Sequence, residues 1–440
     1  MFQINKQYPW EIYSDRNHRH PDKIPNLPPL YRKHAQEKVF TALSNIVENR
    51  RHRAIYVHIP FCSQICPFCP FFRKKIENFN IEVFVSGILS EIKFLSECLW
   101  NNGNPIEAIH IGGGTPTSLP MQHIVKIINH IKDSFPLSRN CEISVESRVT
   151  NIDSAYLKEL LSVGVNRISF GVQSFDTEVR RNIGRIAPTC AVISVIKEAL
   201  NVGFDTVCVD LMYPLPNQSL RIWESDINTM LQLGVNGTSI YRINRHEDTI
   251  FFNEKRNDSL YRKQDIKLEY EFFKYADMIL CDTQNWKRVA GSYYARGKGS
   301  FKYIDLHYST INDVLPIGPG ASGQIGTLFF ANGKNLTNYL SNGINEYGSM
   351  AWNSDDIYCE AWRYHDLSVK LFLHDLSKLK NRSHAVEKLI KDFIKKGLAK
   401  KCGKSVKLTE VGIFWSRNIY SEIQGILEDE LKQRMKNKTM

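Results

Sequence analysis

The stretch AIYVHIP at residues 54–60 opens a regular alternation of strands and helices. It is apolar and rich in β-branched residues, which suits a strand in a sheet covered on both faces. Similar strands recur at roughly 30-residue intervals, the length of one βαβ unit. The predicted strands are 54–60, 108–114, 142–147, 167–174, 205–213 and 237–243. The predicted helices are 81–100, 121–134, 153–163, 188–202 and 219–233. This alternation predicts a parallel sheet in the α/β class.

Six strands are fewer than the eight that close a full barrel, so we expect a partial (β/α)6 TIM-like barrel over residues 53–250. Its catalytic mouth should lie where the strands end. Residues 1–52 show neither strand alternation nor helical periodicity and are predicted to form an N-terminal arm. Residues 251–440 are predicted to form a mainly helical C-terminal domain. Its end, AVEKLIKDFIKKGLAKKCGKSVKLTEVG at 385–412, predicts a helix that stops at Gly397 and a basic hairpin, a winged-helix-like outline.

The composition is that of a globular protein, with 42% hydrophobic and 23% charged residues among 440. It excludes a disordered chain or a fibre. The 57 Lys and Arg residues outnumber the 46 Asp and Glu residues, and the formal net charge of +11 favours anionic ligands. Because many lysines fall late, in residues 388–407 and 432–438, they indicate solvated helix faces and a tail. We therefore expect no nucleic-acid partner.

The start of the chain is polar and aromatic, and no apolar run approaches the ~18 residues of a membrane helix. We expect a cytoplasmic protein without membrane insertion. Ten cysteines in a chain of this length are too sparse for a disulfide scaffold. A local cluster of them in a reducing compartment indicates metal or redox chemistry.

Three of the cysteines, Cys62, Cys66 and Cys69, form a CX3CX2C cluster just after the first strand. Three thiolates can hold three irons of a [4Fe–4S] cluster and leave the fourth iron without a protein ligand. The alternative is a zinc site completed by a nearby His, which fits less well because structural zinc usually draws paired CxxC units. The isolated cysteines are predicted to be small buried residues. They are Cys98, Cys141, Cys190, Cys208, Cys281, Cys359 and Cys402.

The run YVHIPFC at 56–62 with its CX3CX2C cluster resembles the radical S-adenosylmethionine (SAM) superfamily, in its HemN-like, coproporphyrinogen dehydrogenase-like branch. The motifs that carry this resemblance follow one another closely over residues 54–245. The resemblance continues through GGGTP at 112–116, Glu146, RISFGVQSF at 167–175 and DLMYPLPNQ at 210–218. It implies that the open iron chelates the amino and carboxylate groups of SAM. One electron then cleaves SAM to a 5′-deoxyadenosyl radical, so the cofactor supplies the radical chemistry and the protein supplies position.

The resemblance also implies a set of site residues. It assigns catalytic roles to Tyr56 and to the three cysteines, which are also the metal ligands. The implied cofactor contacts are Tyr56, Phe68, Gly113, Gly114, Thr115, Glu146, Gln173, Arg185 and Asp210.

Residue chemistry supports these assignments but leaves alternatives open. Glycines after a buried strand let the backbone approach a ligand closely. Carboxylates at the strand ends can receive ribose hydroxyls or an ammonium group, and an arginine can fork onto a carboxylate. The carboxylates could instead cap the following helices, Tyr56 and Phe68 could be packing aromatics, and Arg185 could be a surface charge.

Within the branch, the sequence resembles most the anaerobic haem-degrading ChuW/HutW methyltransferases. Phe71 stands where the coproporphyrinogen dehydrogenases carry a further cysteine, and Glu146-Ser147-Arg148 is close to the Glu-Gly-Arg of the haem-degrading group. Arg148 either meets an acidic substrate group or is a charge on a helix side. The histidines His18, His20 and His246 are not assigned as haem ligands.

The resemblance implies a class C-like radical SAM methyltransferase with two SAM molecules, one cleaved and one a methyl source. Addition of the methyl carbon to a bridging carbon of haem would open the ring without oxygen and release iron. We expect an electron donor such as flavodoxin or ferredoxin. The alternatives are a HemN-like methylase or cyclopropane-forming enzyme acting on an aromatic natural product, and a haem chaperone without turnover.

Overall fold

The protein is described here from a computed structural model. It describes residues 8–14, 16, 35–45, 51–243, 249, 250, 253, 265–290, 292–307, 312–326, 328–342, 347–352, 376 and 383–438. His18, His20, His246 and Cys359 lie outside the described residues.

Strands and helices alternate through the centre of the chain. The strands are β1 (Arg53–Ile59), β2 (Phe61–Cys62), β3 (Lys74–Lys75), β4 (Ile106–Gly113), β5 (Leu137–Ser147), β6 (Arg167–Gln173), β7 (Thr206–Tyr213), β8 (Gly237–Arg242), β9 (Lys287–Ala290), β10 (Tyr293–Ala295), β11 (Asp313–Ile317), β12 (Ser322–Ile325), β13 (Leu328–Asn332), β14 (Tyr347–Trp352), β15 (Ala399–Cys402) and β16 (Ser405–Leu408). The α-helices are α1 (Ala35–Leu43), α2 (Ile81–Ser96), α3 (Met121–Ser134), α4 (Ser154–Ser162), α5 (Thr177–Asn182), α6 (Thr189–Val202), α7 (Leu220–Leu233), α8 (Ile266–Asp277), α9 (Lys302–His307), α10 (Leu336–Asn342), α11 (His384–Lys395), α12 (Glu410–Phe414) and α13 (Ser416–Lys438).

Twelve of the described strands form one sheet in the order β14-β13-β12-β11-β1-β4-β5-β6-β7-β8-β10-β9. The strands from β11 through β8 in this order pair in parallel, and the outer strands pair antiparallel. The predicted α/β class with a parallel sheet is confirmed, and the sheet fits a partial TIM-like barrel. The six predicted strands correspond to β1 and β4–β8, and β11 adds a seventh parallel strand beside β1 that was not predicted.

Several helices begin where the sequence supplies a capping side chain. Asp153 accepts a hydrogen bond from the Tyr156 N–H at the start of α4, and Ser219 accepts one from the Ile222 N–H at the start of α7. Each cap satisfies a backbone donor that the helix itself leaves unpaired. Gly234, with φ of +83°, ends α7 in the left-handed conformation that glycine adopts without strain.

The parallel strands are buried on both faces, with alternate residues in two different apolar clusters. Ile55 and Val57 of β1 pack in the large cluster beneath the helices. Ala54 and Tyr56 belong to a smaller cluster that includes Phe301 next to α9. Because α9 packs against β1, β4 and β11, it covers the inner face of the sheet.

The part of the chain after residue 250 was predicted to be mainly helical, and it also supplies six strands to the edges of the sheet. Short, partly polar strands of three to six residues give little periodicity for a sequence pattern to detect. The domain division at residue 250 stays a prediction. The predicted C-terminal helix, its stop at Gly397 (φ of +73°) and the hairpin β15–β16 are all present.

The N-terminal residues contain a helix that the sequence analysis did not predict. Val39 and Leu43 of α1 are buried in the large cluster, and two residues are too few for a periodic pattern. Further towards the N-terminus, the Pro9 carbonyl accepts a 2.7 Å hydrogen bond from the Trp415 indole. The described segment around Pro9 therefore lies against the C-terminal helices. No helix of the described residues is long and apolar enough to cross a membrane.

One buried carboxylate connects the start of β11 to the start of β1. Asp313 is fully buried, and its carboxylate accepts hydrogen bonds from Arg51 Nε at 2.6 Å, the Trp100 indole at 2.9 Å and the Gly326 N–H at 2.9 Å. An asparagine here would place an NH2 group against one of these donors inside a buried network and remove the charge that pairs with the half-buried Arg51.

We predict that Asp313→Asn lowers the free energy of unfolding by ~3 kcal/mol in urea denaturation. Asp205→Asn is the matched control, because the Asp205–Lys298 pair is exposed (57% and 79% of the side chains). It should cost less than ~0.5 kcal/mol. Equal losses in the two variants would contradict the structural role of Asp313.

Candidate active site

The carboxyl ends of the parallel strands surround one cavity of about 460 Å³. This is within the ~300–1,000 Å³ typical of ligand pockets. All but one of the predicted site residues line the cavity. They are Cys62, Cys66, Phe68, Cys69, Gly113, Gly114, Thr115, Glu146, Gln173, Arg185 and Asp210.

The three cysteines lie in a loop that leaves β1 and passes along one end of the cavity. Cys62 and Cys66 are buried, and Cys69 is partly exposed. The Cys69 N–H donates to the Cys66 carbonyl at 3.2 Å, which closes a tight turn between the second and third thiols. All three sulfur-bearing residues therefore border the same cavity.

The glycine turn after β4 holds this loop in place. The Gly114 N–H donates to the Ile59 carbonyl at 2.8 Å, and the Thr115 N–H donates to the Phe61 carbonyl at 2.7 Å. A Cβ atom on Gly114 would lie 2.6 Å from the Phe61 carbonyl oxygen and 3.0 Å from Cys62 Sγ. Only glycine allows this close approach of two backbones.

The donor set fits an iron–sulfur cluster. Thiolate sulfur is the ligand that such clusters use, and three thiols reach the cavity from one short loop. Burial raises the pKa of Cys62, although a contact with the Thr115 hydroxyl at 3.5 Å and nearby arginines oppose the shift. Burial likewise raises the pKa of Cys69. Among the described residues, no group of three or more His, Cys, Asp and Glu side chains could hold a single metal ion.

The two carboxyl groups at the strand ends have pKa values that are shifted in opposite directions. Burial would raise the pKa of Glu146, but the hydrogen bond and charge of His110 and the Gly113 N–H at 3.2 Å outweigh it and hold this pKa below its usual value. Burial, together with the negative charge of Glu146, raises the pKa of Asp210 to about 7. Neither residue caps a helix, because Asp153 and Ser219 cap the helices that follow.

Gln173 and Arg185 each present a polar atom that lacks a protein partner. Gln173 is 6% exposed and Arg185 is 8% exposed, and neither Gln173 Oε1 nor Arg185 Nε makes a hydrogen bond. Gln173 also has a φ of +74°, which costs a non-glycine residue roughly 1–2 kcal/mol. Unpaired polar atoms and backbone strain at a cavity wall are typical of ligand-binding positions. Both residues are therefore placed where a cofactor contact, as the resemblance implies, would satisfy them.

Tyr56 is the predicted residue that does not line the cavity. His58 Nε2 donates to the Phe72 carbonyl at 3.1 Å, so His58 Nδ1 accepts the Tyr56 hydroxyl at 2.8 Å. Burial lowers the pKa of His58 to about 4, which fits this neutral tautomer. The Tyr56 ring stacks on His110 and Tyr303, so it supports the wall behind Glu146.

Residues 56–230 match the family profile of the radical SAM superfamily. The chain contains a radical SAM domain. The matched segment includes the cysteine loop, the glycine turn, Glu146, Gln173, Arg185 and Asp210. The predicted recognition of this superfamily is therefore confirmed.

Named relatives match most of this chain, well beyond the radical SAM domain. An anaerobilin synthase from Escherichia coli O157:H7 is 25% identical over 386 residues, which are 87% of this chain and 86% of that protein. The heme chaperone HemW of Bacillus subtilis is 26% identical over 386 residues, 85% of this chain and 100% of that protein. Among solved structures, the coproporphyrinogen III oxidase HemN from E. coli superposes with a TM-score of 0.73 at 21% identity. The superposition covers 88% of this chain and 93% of the HemN chain, so the two share a fold. The predicted HemN-like relatives are therefore confirmed.

Sequence reasoning missed many of the other residues that line the cavity. Four further arginines line it: Arg16, Arg242, Arg288 and Arg417. Aromatic residues from α8, β10, the position before α9 and α13 line it too: Phe273, Tyr293, Tyr294, Phe301 and Tyr420. These positions are distant in sequence from the recognised motifs and form no pattern of their own, so only the tertiary structure brings them together.

The isolated cysteines only partly follow the prediction that they are buried. Cys208 is fully buried, and Arg167 Nη2 donates to its sulfur at 2.8 Å. Cys190 and Cys402 are exposed, so the prediction was wrong for these two. Cys190 lies at the start of α6, and Cys402 lies in the hairpin β15–β16.

We predict that Gly114→Ala sharply lowers the iron bound after anaerobic reconstitution, because the new methyl group collides with the Phe61 carbonyl. The measurement is iron per protein, with circular dichroism to verify folding. Gly425→Ala is the matched control, since a Cβ there meets open space within a helix. Full iron loading of Gly114→Ala would contradict the proposed contact.

We predict that Asp210→Asn stabilises the protein at pH 8 and not at pH 4. In the unfolded chain Asp210 ionises near pH 4, whereas in the folded protein it stays protonated up to a pKa of about 7. The wild type therefore loses stability relative to the variant as pH rises through this window, and the difference is constant above it.

The expected gain at pH 8 is ~1–2 kcal/mol, discounted because the carboxyl borders a water-accessible cavity. Urea denaturation at both pH values measures it. The exposed Asp282→Asn substitution serves as the control and should show no such pH dependence. A gain of equal size at pH 4 and pH 8 would rule out titration of Asp210 as its cause.

Proposed function

We propose that this radical SAM protein is a C-methyltransferase that uses two SAM molecules and acts on haem, opening the porphyrin ring without oxygen. A bound [4Fe–4S] cluster would supply the electron that cleaves SAM. The chain itself would hold the cluster through Cys62, Cys66 and Cys69. With three protein ligands, one iron corner stays available for SAM.

The polar residues of the cavity suit the binding of SAM. Arg185 can fork onto the SAM carboxylate, and Gln173 Oε1 offers an acceptor that no protein group uses. Glu146 is held ionised and can receive the ammonium group, while Asp210, with a pKa of about 7, can donate or accept a hydrogen bond to a ribose hydroxyl. Gly113 and Gly114 allow the cofactor to approach the backbone.

The observation that carries the substrate class is the character of the cavity lining. Within the described residues its lining holds seven arginines and two carboxylates, Glu146 and Asp210. Three of the arginines are paired with acids outside the lining, since Arg16 and Arg242 share Glu269 and Arg288 pairs with Asp277. Arginine is the residue of choice for carboxylates, and haem carries two propionates. The aromatic side chains Tyr293, Tyr294 and Phe301 add flat apolar surface suited to a macrocycle. A basic and aromatic cavity favours an anionic, flat substrate.

The names of the relatives support the same substrate class. The matched proteins are named anaerobilin synthase, heme chaperone and coproporphyrinogen III oxidase, and all three names concern tetrapyrrole chemistry. Phe71 argues against the coproporphyrinogen reaction, because the resemblance assigns a cysteine to that position. We further propose that a flavodoxin or ferredoxin reduces the cluster.

Haem chaperone function is the second candidate, because the HemW relative is matched over its full length. A chaperone would bind haem in the same cavity without consuming SAM. A methylase or cyclopropane-forming enzyme acting on an aromatic natural product is the third candidate, and the identity of the product separates it from the first.

We predict that reconstituted protein incubated anaerobically with SAM, a reductant and haem yields S-adenosylhomocysteine and 5′-deoxyadenosine together. Mass spectrometry should detect a methylated linear tetrapyrrole. SAM with a deuterated methyl group should transfer deuterium to 5′-deoxyadenosine, because the proposed reaction abstracts hydrogen from the second SAM.

Cys66→Ala should reduce all of these products to background. The exposed Cys190→Ala should leave them unchanged, which controls for the loss of a thiol. Haem bound with neither nucleoside product would favour the chaperone, and full turnover by Cys66→Ala would remove the cluster from the reaction.

A further inference from the structure

Two arginines, Arg73 and Arg148, bind the backbone of the cysteine loop. Arg148 Nη1, after β5, donates to the Gln64 carbonyl at 2.8 Å, and its Nη2 donates to Gln64 Oε1 at 3.4 Å. Arg73 Nη1 donates to the Phe71 carbonyl at 2.7 Å, and its Nη2 donates to the Cys66 carbonyl at 3.4 Å. Gln64 lies between the first and second cysteines, so each arginine fixes part of the ligand-bearing segment.

Both guanidinium groups are held at the cavity without a carboxylate partner. Arg148 is 5% exposed, and Nε of Arg148 and of Arg73 is buried with no hydrogen-bond partner. In the described part of the chain their hydrogen bonds go to backbone carbonyls and to one amide, none of them to an acid. Both residues also line the cavity. Two positive charges therefore lie beside the cysteine loop with no anion among the groups they bind.

A buried charge without a counter-charge is costly, so its retention needs a compensating group. Arg185, the third arginine at this end, is already assigned to the SAM carboxylate in the proposed function. Arg148 and Arg73 bind the loop rather than projecting freely, so they are not placed to follow a mobile ligand. The anionic group that remains for them is the cluster with its three thiolates.

We infer that Arg73 and Arg148 are positioning residues that fix the cysteine loop and raise the reduction potential of the cluster it holds. This inference rests on the cluster-binding part of the proposed function. Reduction by one electron adds a negative charge to the cluster. A fixed positive charge stabilises the reduced form more than the oxidised form, and low local dielectric strengthens the effect.

The proposed role needs arginine for two separate reasons. Its planar fork donates to two acceptors at once, which orients the loop carbonyls, and its charge is retained on burial. Lysine would keep the charge but lose the paired hydrogen bonds. Glutamine would keep a hydrogen-bond donor but lose the charge. Substitution by each therefore separates the positional contribution from the electrostatic one.

The test uses full-length protein reconstituted with its cluster, in redox titrations followed by electron paramagnetic resonance of the reduced cluster. Arg148→Gln and Arg73→Gln should each lower the equilibrium constant for one-electron reduction about tenfold. A tenfold change corresponds to 59 mV for one electron. Arg148→Lys and Arg73→Lys should stay within about twofold of the wild type. Arg221→Gln, on the exposed face of α7, should not change the constant.

Glutamine variants that bind four irons and keep the wild-type potential would overturn the inference and leave the proposed function intact. Failure of the wild type itself to bind a cluster would instead defeat the proposed function. If circular dichroism shows that Arg148→Gln does not fold, the test rests on Arg73→Gln, because the Arg73 side chain is less buried. A lower potential there supports the inference, and an unchanged one refutes it.

Discussion

The close contact between the glycine turn and the cysteine loop is the constraint on which the rest of the site depends. Two backbone hydrogen bonds join Gly114 and Thr115 to the residues on either side of Pro60, and no Cβ atom fits between the two segments. Because β1 and β4 are paired neighbours in the sheet, their carboxyl ends are already side by side. The glycine turn fixes the start of the cysteine loop against β4, and the three cysteines of that loop line the cavity.

The charged groups of the cavity differ from one part of its lining to another. Glu146 is kept ionised by His110 and by a backbone N–H, whereas Asp210 is driven toward its neutral form by burial and by Glu146 itself. Two carboxyl groups that face one cavity thus titrate over different pH ranges. Near the cysteine loop, Arg148 and Arg185 supply positive charge that suits thiolates and carboxylates. The region near the cysteine loop therefore favours anionic groups, and the region beside Glu146 favours a cationic group.

The sequence was sufficient for the six parallel strands β1 and β4–β8 because each of them contains an apolar run, but it missed β11, the parallel strand on the other side of β1. It was insufficient for the edge strands after residue 250, which are short and have little periodicity. Tyr56 illustrates the limit within a strand. Its position in YVHIPFC was recognisable, but its hydroxyl is bound by His58, and Tyr303 of α9 stacks on its ring. Contacts between residues almost 250 positions apart have no local sequence signal.

The same limit explains why the reaction is easier to infer than the substrate. The residues that suit the cluster and SAM come from consecutive βα units, and the topology of a parallel sheet brings such strand ends together wherever the fold occurs. The basic and aromatic part of the cavity lining comes from Arg16, from the edge strands and from α13. These elements can vary without disturbing the strand order. A shared fold therefore accommodates relatives with different names, and the choice of substrate depends on side chains that the fold does not dictate.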